Sequence, residues 1–195
     1  MRGAFTILIV GLGLCGDAWA RPPEYRLAAY TVGAYATVPQ RPLADQGYPG
    51  AQNNLGTKYR DGQGVVQDFV EAMKWFRLAA DQGYAEAQYN LALMYDAGKG
   101  VAKDYAQAVK WFRLAADQGL PDAQNNLGVR YDNGRGVTRD YVQAHKWFDL
   151  AASGFPASDK ENRDRAVKNR DIVAAKMTPA QIAEAQRLAR EWKPK

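Results

Sequence analysis

Residues 80–115 read ADQGYAEAQYNLALMYDAGKGVAKDYAQAVKWFRLA, and the same pattern occurs directly before and directly after them. Residues 44–79 and 116–151 align with this stretch without a gap, and nineteen of the thirty-six columns are identical in all three copies. Self-similarity at a fixed period of this length is the sequence signature of a repeat architecture. The chain therefore contains three consecutive 36-residue repeats.

Each copy predicts two helices joined by a glycine-rich turn. In the first copy, Ala51, Leu55 and Tyr59 are four residues apart, which places them on one face of a helix. A Gly-x-Gly-Val segment follows and ends that helix, because glycine adopts positive φ readily. Asp68 is the predicted N-cap of the second helix, and Glu71, three residues later, completes a capping box. The equivalent pairs in the other copies are Asp104 with Gln107 and Asp140 with Gln143.

The pattern A-x-x-x-L-G/A-x-x-Y-x-x-G-x-G-V-x-x-D-Y/F-x-x-A-x-x-W-F-x-x-A-A resembles the Sel1-like repeat family, relatives of the tetratricopeptide repeats. The resemblance implies an all-α fold, a right-handed α-solenoid of helix-turn-helix repeats with a concave inner surface. A single repeat of this kind cannot bury its apolar face alone, so neighbouring repeats stack. By this reading, residues 44–152 are three repeats with a helical cap at each end.

Both ends are predicted to be caps. Residues 21–43 resemble the half-motif that precedes such arrays, although Pro39 and Pro42 predict that its second helix is brief or kinked. The C-terminal cap, residues 153–195, begins with a polar break over 153–162. Two helices are predicted to follow, over 163–177 and 179–192, the second starting at Thr178 with a capping box to Gln181. Its apolar residues are expected to close the open end of the stack, and they are Ile182, Ala185, Ala189 and Trp192.

Residues 1–20 have the features of a secretory signal peptide. Arg2 precedes a mostly apolar run that ends at Cys15 and is too short to span a bilayer. Ala18-Trp19-Ala20 matches a small-x-small cleavage site. The sequence thus predicts an exported, periplasmic protein cleaved after Ala20, without a transmembrane segment in the mature chain. Lipid anchoring at Cys15 stays open as the minor alternative.

Composition excludes several kinds of chemistry. The chain has one Cys and one His, so a disulfide scaffold and a multi-histidine metal site are both excluded. His145, the sole histidine, is read as a partly exposed helix residue. Ser153 and Ser158 are the only serines, and neither lies in a G-x-S-x-G motif. We therefore predict no catalytic residue, no metal site and no cofactor.

The net charge of +5 suggests nucleic-acid binding until the charges are located. Residues 44–151 carry 12 basic and 13 acidic residues, so the excess belongs to the two ends. We interpret the basic residues of the C-terminal cap as a solvated helix face and predict no nucleic-acid partner. Contact with an anionic membrane surface stays open. These basic residues are Arg163, Arg165, Lys168, Arg170, Arg187, Arg190, Lys193 and Lys195.

The candidate partner-binding surface is the stripe of the first helices that faces away from the predicted core. Its columns vary between copies, whereas the core columns do not. An apolar centre of Tyr89, Leu93 and Val129, flanked by amide and acidic groups, suits an extended or helical peptide. By contrast, the asparagine found in every copy, at positions 54, 90 and 126, is expected to bond backbone between helices. The stripe consists of Asn53, Thr57, Arg60, Tyr89, Leu93, Asp96, Asn125, Val129 and Asp132.

These observations predict a monomeric, non-catalytic protein-interaction scaffold or adaptor of the bacterial cell envelope. Its partner would be a protein or peptide held in the concave groove. Two alternatives stay open. One is an envelope hydrolase acting on β-lactams or peptidoglycan, and the other is a structural support subunit of an envelope complex.

Overall fold

The computed structural model describes residues 41–195, and every regular element within that range is an α-helix. The signal peptide predicted for residues 1–20, and residues 21–40 of the predicted capping half-repeat, lie outside the described residues. None of the helices between residues 41 and 195 is both long and apolar enough to cross a membrane. In chain order the helices are α1 (Arg41–Asp45), α2 (Pro49–Asp61), α3 (Phe69–Asp81), α4 (Ala85–Ala97), α5 (Tyr105–Asp117), α6 (Pro121–Asn133), α7 (Tyr141–Gly154), α8 (Lys160–Ala174) and α9 (Pro179–Glu191).

The first helices of the repeats, α2, α4 and α6, each end at a glycine. Gly98 follows α4 with φ 70°, and its N–H donates to the carbonyl of Met94 at 2.9 Å. A residue with a Cβ pays about 1–2 kcal/mol in this left-handed conformation, which explains the glycine. Gly62 and Gly134 occupy the same position with the same geometry. The prediction that the Gly-x-Gly segments end helices is therefore confirmed.

The second helices, α3, α5 and α7, begin at the predicted aspartates. The carboxylate of Asp104 accepts the N–H groups of Ala106 and Gln107 at 2.9 and 3.0 Å. The reciprocal half of the capping box is wrong, because the N–H of Asp104 already donates to the carbonyl of Tyr95 at 3.0 Å. That bond ties the start of α5 to the preceding helix. Asp68 and Asp140 make the same bond, to Tyr59 and Tyr131.

The core repeats with the sequence. Phe112 and Leu91 are completely buried where α4 packs against α5, and their equivalents are buried in the other two repeats. Each second helix also packs against the first helix of the following repeat, so the three pairs form a continuous stack. Small side chains between the helices allow close approach of the backbones, and the fully buried ones are Ala72, Ala79, Ala87, Ala108, Ala115, Ala123, Ala144 and Ala151.

A buried row of glutamines links successive repeats. The side-chain amide of Gln88 donates to the carbonyl of Ala80 at 3.2 Å and accepts from Gln118 at 2.8 Å. It thereby adds a second bond to a carbonyl at the end of α3 that also accepts the backbone N–H of Gly83 at 3.0 Å. The row ends at Gln124, whose Oε1 has no hydrogen-bond partner in the described part of the chain, because the next position in register is Gly154. Identity in every copy was the signal for this role, which the sequence reasoning missed.

Helix α8 differs from its predicted bounds at both ends. It begins at Lys160, three residues before the predicted start, because Asp159 caps it by accepting the N–H of Asn162 at 3.3 Å. It ends at Ala174 and not at residue 177. Helix α8 packs against α7 and also touches α6, so it occupies the end of the stack.

Helix α9 has the predicted capping box, in which Thr178 and Gln181 each bond the backbone N–H of the other. Its position differs from the expectation that it closes the open end of the stack. It packs along α7, with the Trp192 ring 6.3 Å from the Trp147 ring, and Lys195 binds Asp117 at the end of α5. These two contacts direct α9 back along the array, and α8 takes the terminal position.

Candidate partner-binding surface

On α2, two of the three stripe residues contact the next repeat. Asn53 is buried, and its side-chain oxygen accepts from the amide of Asn90 at 2.9 Å. Arg60 donates to the oxygen of Asn90 at 2.9 Å and to Asp61 at 2.7 Å. The hydrogen bond to Asp61 raises the pKa of Arg60. Thr57 is half-buried between them on the same helix.

On α4, all three stripe residues are half-buried. The Tyr89 ring lies 5.8 Å from the ring of Phe112, and Leu93 packs against the main core. Asp96 forms an ion pair with Arg130 at 2.9 Å, which joins α4 to α6. Tyr89 and Leu93 are four residues apart and therefore lie side by side on one face of the helix.

On α6, the stripe is closed by the segment that includes α8. Asn125 is buried and accepts from the amide of Asn169 at 3.1 Å. Val129 is half-buried, and Asp132 binds Lys176 at 2.8 Å. Helix α8 and the residues after it therefore supply the partners that a fourth repeat would provide.

The expectation that Asn53 and Asn125 offer open amide groups is wrong, since they are 9% and 5% exposed. Their register places them toward the neighbouring first helix, and their amides hold the stack together. The variable columns remaining at the candidate surface centre on Tyr89 and Leu93, with Thr57 and Val129 on the adjacent helices. Binding of a partner to this stripe stays a prediction.

Tyr89 has polar neighbours that the sequence reasoning missed. The amide of Asn126 lies 3.4 Å from the Tyr89 hydroxyl and donates to the carbonyl of Asp122 at 2.9 Å. Burial raises the pKa of Tyr89, and the nearby carboxylate of Asp122 raises it further. Burial also raises the pKa of Asp122, against the opposing charge of Arg165. The Tyr89 hydroxyl therefore stays protonated at neutral pH and can donate a hydrogen bond to a ligand.

The asparagine present in every copy has different roles in the three repeats. Asn90 bonds two side chains of α2, as described above, and Asn126 bonds a carbonyl one turn back in its own helix and the Tyr89 hydroxyl. Asn54, in the first repeat, is exposed. The prediction that these asparagines bond the backbone of a neighbouring helix is therefore wrong, because Asn90 and Asn126 bond side chains of the neighbouring helices.

His145 is buried, at 3% exposed, which corrects the expectation of a partly exposed residue. It shares its column with Val109, which is buried, and with Met73, which is partly buried against the main core. Its Nδ1 has no hydrogen-bond partner among the described residues. Burial lowers its pKa, opposed by the carboxylates of Asp149 and Asp171. Residues 41–195 contain no group of three or more His, Cys, Asp or Glu side chains that could hold a metal ion.

Replacing His145 with Val, the residue of the second copy, is expected to reduce the loss of stability in acid. The pKa of His145 in the folded chain lies below its ordinary value of 6.5, so between the two pKa values the unfolded chain takes up a proton while the folded chain stays neutral. The free energy of unfolding of the native sequence therefore falls as the pH drops below about 6.5. Urea unfolding at pH 7.5 and pH 5.5 measures this drop, which should be smaller in His145→Val. An equal drop in both proteins would contradict the inference that buried His145 causes part of the loss of stability in acid.

Several basic residues of the C-terminal cap are paired with acids. Arg187 binds Glu184 and Glu191, which raise its pKa, and Arg170 binds Asp149. Pairs of this kind reduce the positive field that a nucleic-acid footprint needs. Arg170 and Arg187 are thus neutralised by neighbouring carboxylates.

The chain matches the family model described as Sel1 repeat over residues 49–84, 85–120 and 121–154. Each match begins at the first residue of a first helix, so the helix pair described above is the repeat unit of that family. The 36-residue alignment of the sequence begins five residues earlier, because a periodic pattern has no unique starting point.

Several solved structures are similar to this chain, including the following three. A Sel1 repeat protein from Oxalobacter formigenes is 34% identical, with a TM-score of 0.56 over 74% of this chain and 63% of that one. The protective antigen c5321 of uropathogenic Escherichia coli, which displays an SLR fold, is 33% identical, with a TM-score of 0.59 over 78% and 39%. Helicobacter pylori cysteine rich protein B, 22% identical with a TM-score of 0.51 over 65% and 96%, shows the fold alone.

No curated protein matches the chain. The chain spans 63% and 39% of the first two similar structures, so it matches only part of each. The three family matches together cover more than half of its 195 residues, and both the helix pairs and the similar structures agree with them. The chain therefore belongs to the Sel1 repeat family, an α-solenoid family whose repeats generally mediate protein–protein interaction without catalysis.

Proposed function

We propose that this chain is a non-catalytic adaptor of the bacterial cell envelope that binds a peptide segment of a partner protein on its first-helix stripe. The observation that carries the proposal is the middle of the stripe. There Tyr89 and Leu93 are half-buried side by side, and their columns differ from copy to copy while the packing columns do not. Other variable positions of the stripe, such as Asn53 and Asp96, make contacts between repeats, so Tyr89 and Leu93 are the ones that remain for a ligand.

The chemistry of the stripe favours a peptide with both apolar and polar side chains. The aromatic ring of Tyr89 and the methyl groups of Leu93 offer apolar contact, and the protonated hydroxyl of Tyr89 can donate a hydrogen bond. An aromatic residue with a polar tip is well suited to interfaces, where it combines apolar area with a directional bond. Most of the charged residues nearby are already paired within the array, so recognition would depend mainly on shape and hydrogen bonding.

The envelope location rests on the features of residues 1–20: the basic start, the apolar run and the small-x-small site before Arg21. In cells, the mature chain should be recovered from the periplasmic fraction with Arg21 as its first residue. Recovery of a lipid-modified chain that begins at Cys15 would replace a free periplasmic adaptor with a membrane-anchored one.

The groove is tested in the same cells by site-specific photo-crosslinking from position 57, beside Tyr89 and Leu93 on the stripe. We expect a defined crosslinked partner that disappears in the double variant Tyr89→Ala with Leu93→Ala and decreases in Leu93→Ala alone. The matched control is Val66→Ala, because Val66 is an exposed apolar residue in a turn outside the stripe. Circular dichroism establishes whether each variant is folded. If the double variant does not fold, the single variant Leu93→Ala is used in its place.

Two results would overturn the proposal. An unchanged crosslink in a folded Tyr89→Ala/Leu93→Ala protein would remove the stripe from the binding site. Turnover of a β-lactam or a peptidoglycan fragment by the purified protein, abolished by a point substitution, would replace the adaptor with an envelope hydrolase.

A further inference from the structure

The second helices carry a repeated outward face that the stacking of the repeats does not use. On each of α3, α5 and α7 it consists of a small apolar residue, a lysine one turn later and a leucine one turn after that. We call it the second-helix face. Its members are Val70, Lys74 and Leu78 on α3, Ala106, Lys110 and Leu114 on α5, and Val142, Lys146 and Leu150 on α7.

The exposure of this face differs sharply between the copies. All of its residues on α3 and α5 are exposed, and the two leucines, Leu78 and Leu114, are 48% and 40% accessible. All three residues on α7 are half-buried, and burial lowers the pKa of Lys146. The same residue types are therefore open on two helices and covered on the third.

Helix α9 accounts for the difference, since it packs along α7. Ala185 and Ala189 are buried in α9, and small residues at this spacing let two helices approach closely. Trp192 follows at the next turn and meets the ring of Trp147 edge to face. The tail, residues 192–195, then reaches the end of the preceding repeat.

At the end of α5, the tail is held by three contacts. The ring of Trp192 lies 3.7 Å from the Cβ position of Gly119. The side-chain Nζ of Lys195 binds the Asp117 carboxylate at 2.8 Å. The backbone N–H of Lys195 donates to the backbone carbonyl of Asp117, also at 2.8 Å. Gly119 and Asp117 at the end of one repeat, and Trp147 of the next, thus all contact residues 192–195.

The same three residue types occur one and two repeats earlier, although Trp111 and Trp75 are themselves buried, at 5% and 9% exposed. Trp111 is preceded by Asp81 and Gly83, at the same spacing that separates Trp147 from Asp117 and Gly119. Among residues 41–195, nothing lies within 4 Å of the Cβ position of Gly83, in contrast to Gly119. The first copy repeats the set as Asp45, Gly47 and Trp75, and no residue of the described part of the chain lies within 4 Å of the Cβ position of Gly47.

We propose that the second-helix faces of α5 and α3 bind an amphipathic helix from another protein with the chemistry of α9. Its recognition pattern is two small residues four apart, an aromatic residue three further on, and a lysine three beyond that. The small residues permit close approach to Leu114 or Leu78, and the aromatic ring packs on Gly83 or Gly47 as Trp192 does on Gly119. The lysine pairs with Asp81, or with Asp45, which lies 3.8 Å from Arg41. This surface is separate from the first-helix stripe and stands or falls independently of it.

The occupant is another protein's helix and not the α9 of a second copy. In every copy α9 is tethered next to its own α7, and a tethered segment has an effective concentration near the millimolar range. A second copy would have to release that contact before its α9 could reach a neighbour. A free helix of the same chemistry has no such cost.

A synthetic peptide of residues 178–195, labelled at its N-terminus, is the probe. Fluorescence anisotropy with the full chain should show saturable binding, weakened at least about tenfold by Leu78→Glu with Leu114→Glu, since burial of one leucine corresponds to a factor of that size. Trp192→Ala within the peptide should weaken binding similarly. The matched control is Ile172→Glu, because Ile172 is 47% exposed on α8, away from the face, and should leave binding unchanged. Leu78, Leu114 and Ile172 are exposed, so these variants of the chain should fold, which circular dichroism checks.

A photo-crosslinker at Leu188 of the peptide then locates the contact. Crosslinks to α5 or α3 are expected. Crosslinks confined to α7 would show exchange with the protein's own α9 and overturn the proposal. Three further results would overturn the proposal. They are no binding at a protein concentration of about 1 mM, equal binding by the Leu78→Glu/Leu114→Glu variant, and binding that requires dimer formation.

Discussion

Phe112→Ala is expected to lower the free energy of unfolding by about 3–5 kcal/mol, the cost of removing a fully buried aromatic side chain from a packed core. Phe112 is completely buried in the middle repeat and contacts the ring of Tyr89 on the partner helix. Total stabilities of about 5–15 kcal/mol are usual for folded domains, so much of the fold's margin would be lost. The effect should spread, because each repeat of a solenoid is stabilised by its neighbours.

Urea unfolding followed by circular dichroism measures this change. Leu114→Ala is the matched control on the same helix, because Leu114 is 40% exposed and should change stability by about 0.5 kcal/mol or less. Similar losses for the two variants would contradict the assignment of Phe112 to the centre of the core.

Gly136→Ala is expected to lower the free energy of unfolding by about 2–5 kcal/mol. Gly136 has φ 77°, where a side chain costs about 1–2 kcal/mol. In addition, a Cβ here would overlap the carbonyl oxygen of Tyr105 and lie 2.9 Å from the backbone nitrogen of Ala106, at the start of α5. Overpacking of this kind costs a further 1–3 kcal/mol or so, because backbone cannot move aside as a side chain can.

The comparison variant is Gly62→Ala. Gly62 has nearly the same φ, at 70°, but its Cβ position is 3.4 Å from the nearest atom, the Cβ of Gln67. It should therefore lose only the conformational part, about 1–2 kcal/mol. Equal losses for the two substitutions would show that the overlap of the added Cβ with the backbone at the start of α5 does not contribute to the loss of stability.

Local features of the fold were predictable because they depend on neighbours in sequence. Asp104 caps α5 and Gly98 ends α4 as expected, since capping and left-handed turns involve residues only a few positions apart. The repeat helices and the Thr178 capping box follow from the same short-range rules.

Predictions failed where a group had a partner far along the chain. The reciprocal bond of the capping box is missing because the N–H of Asp104 finds the carbonyl of Tyr95 first. Asn53 and Asn125 are buried because Asn90 and Asn169, 37 and 44 residues away, reach them. A helical wheel for one helix shows which residues face away from its own partner helix, but it contains no information on the next repeat.

The sequence by itself determined the period, the helix pairs, the N-capping aspartates and the glycine turns, because a repeated pattern gives the same local preferences three times. Only the tertiary structure decided which of three near-identical faces is covered. Leu150 is half-buried on the helix that carries α9, while Leu78 and Leu114 remain open, although the local sequence around all three is nearly the same. The physical reason is that coverage depends on where a distant helix packs, and the contacts of Trp192 and Lys195 with Trp147 and Asp117 exist only in the folded chain.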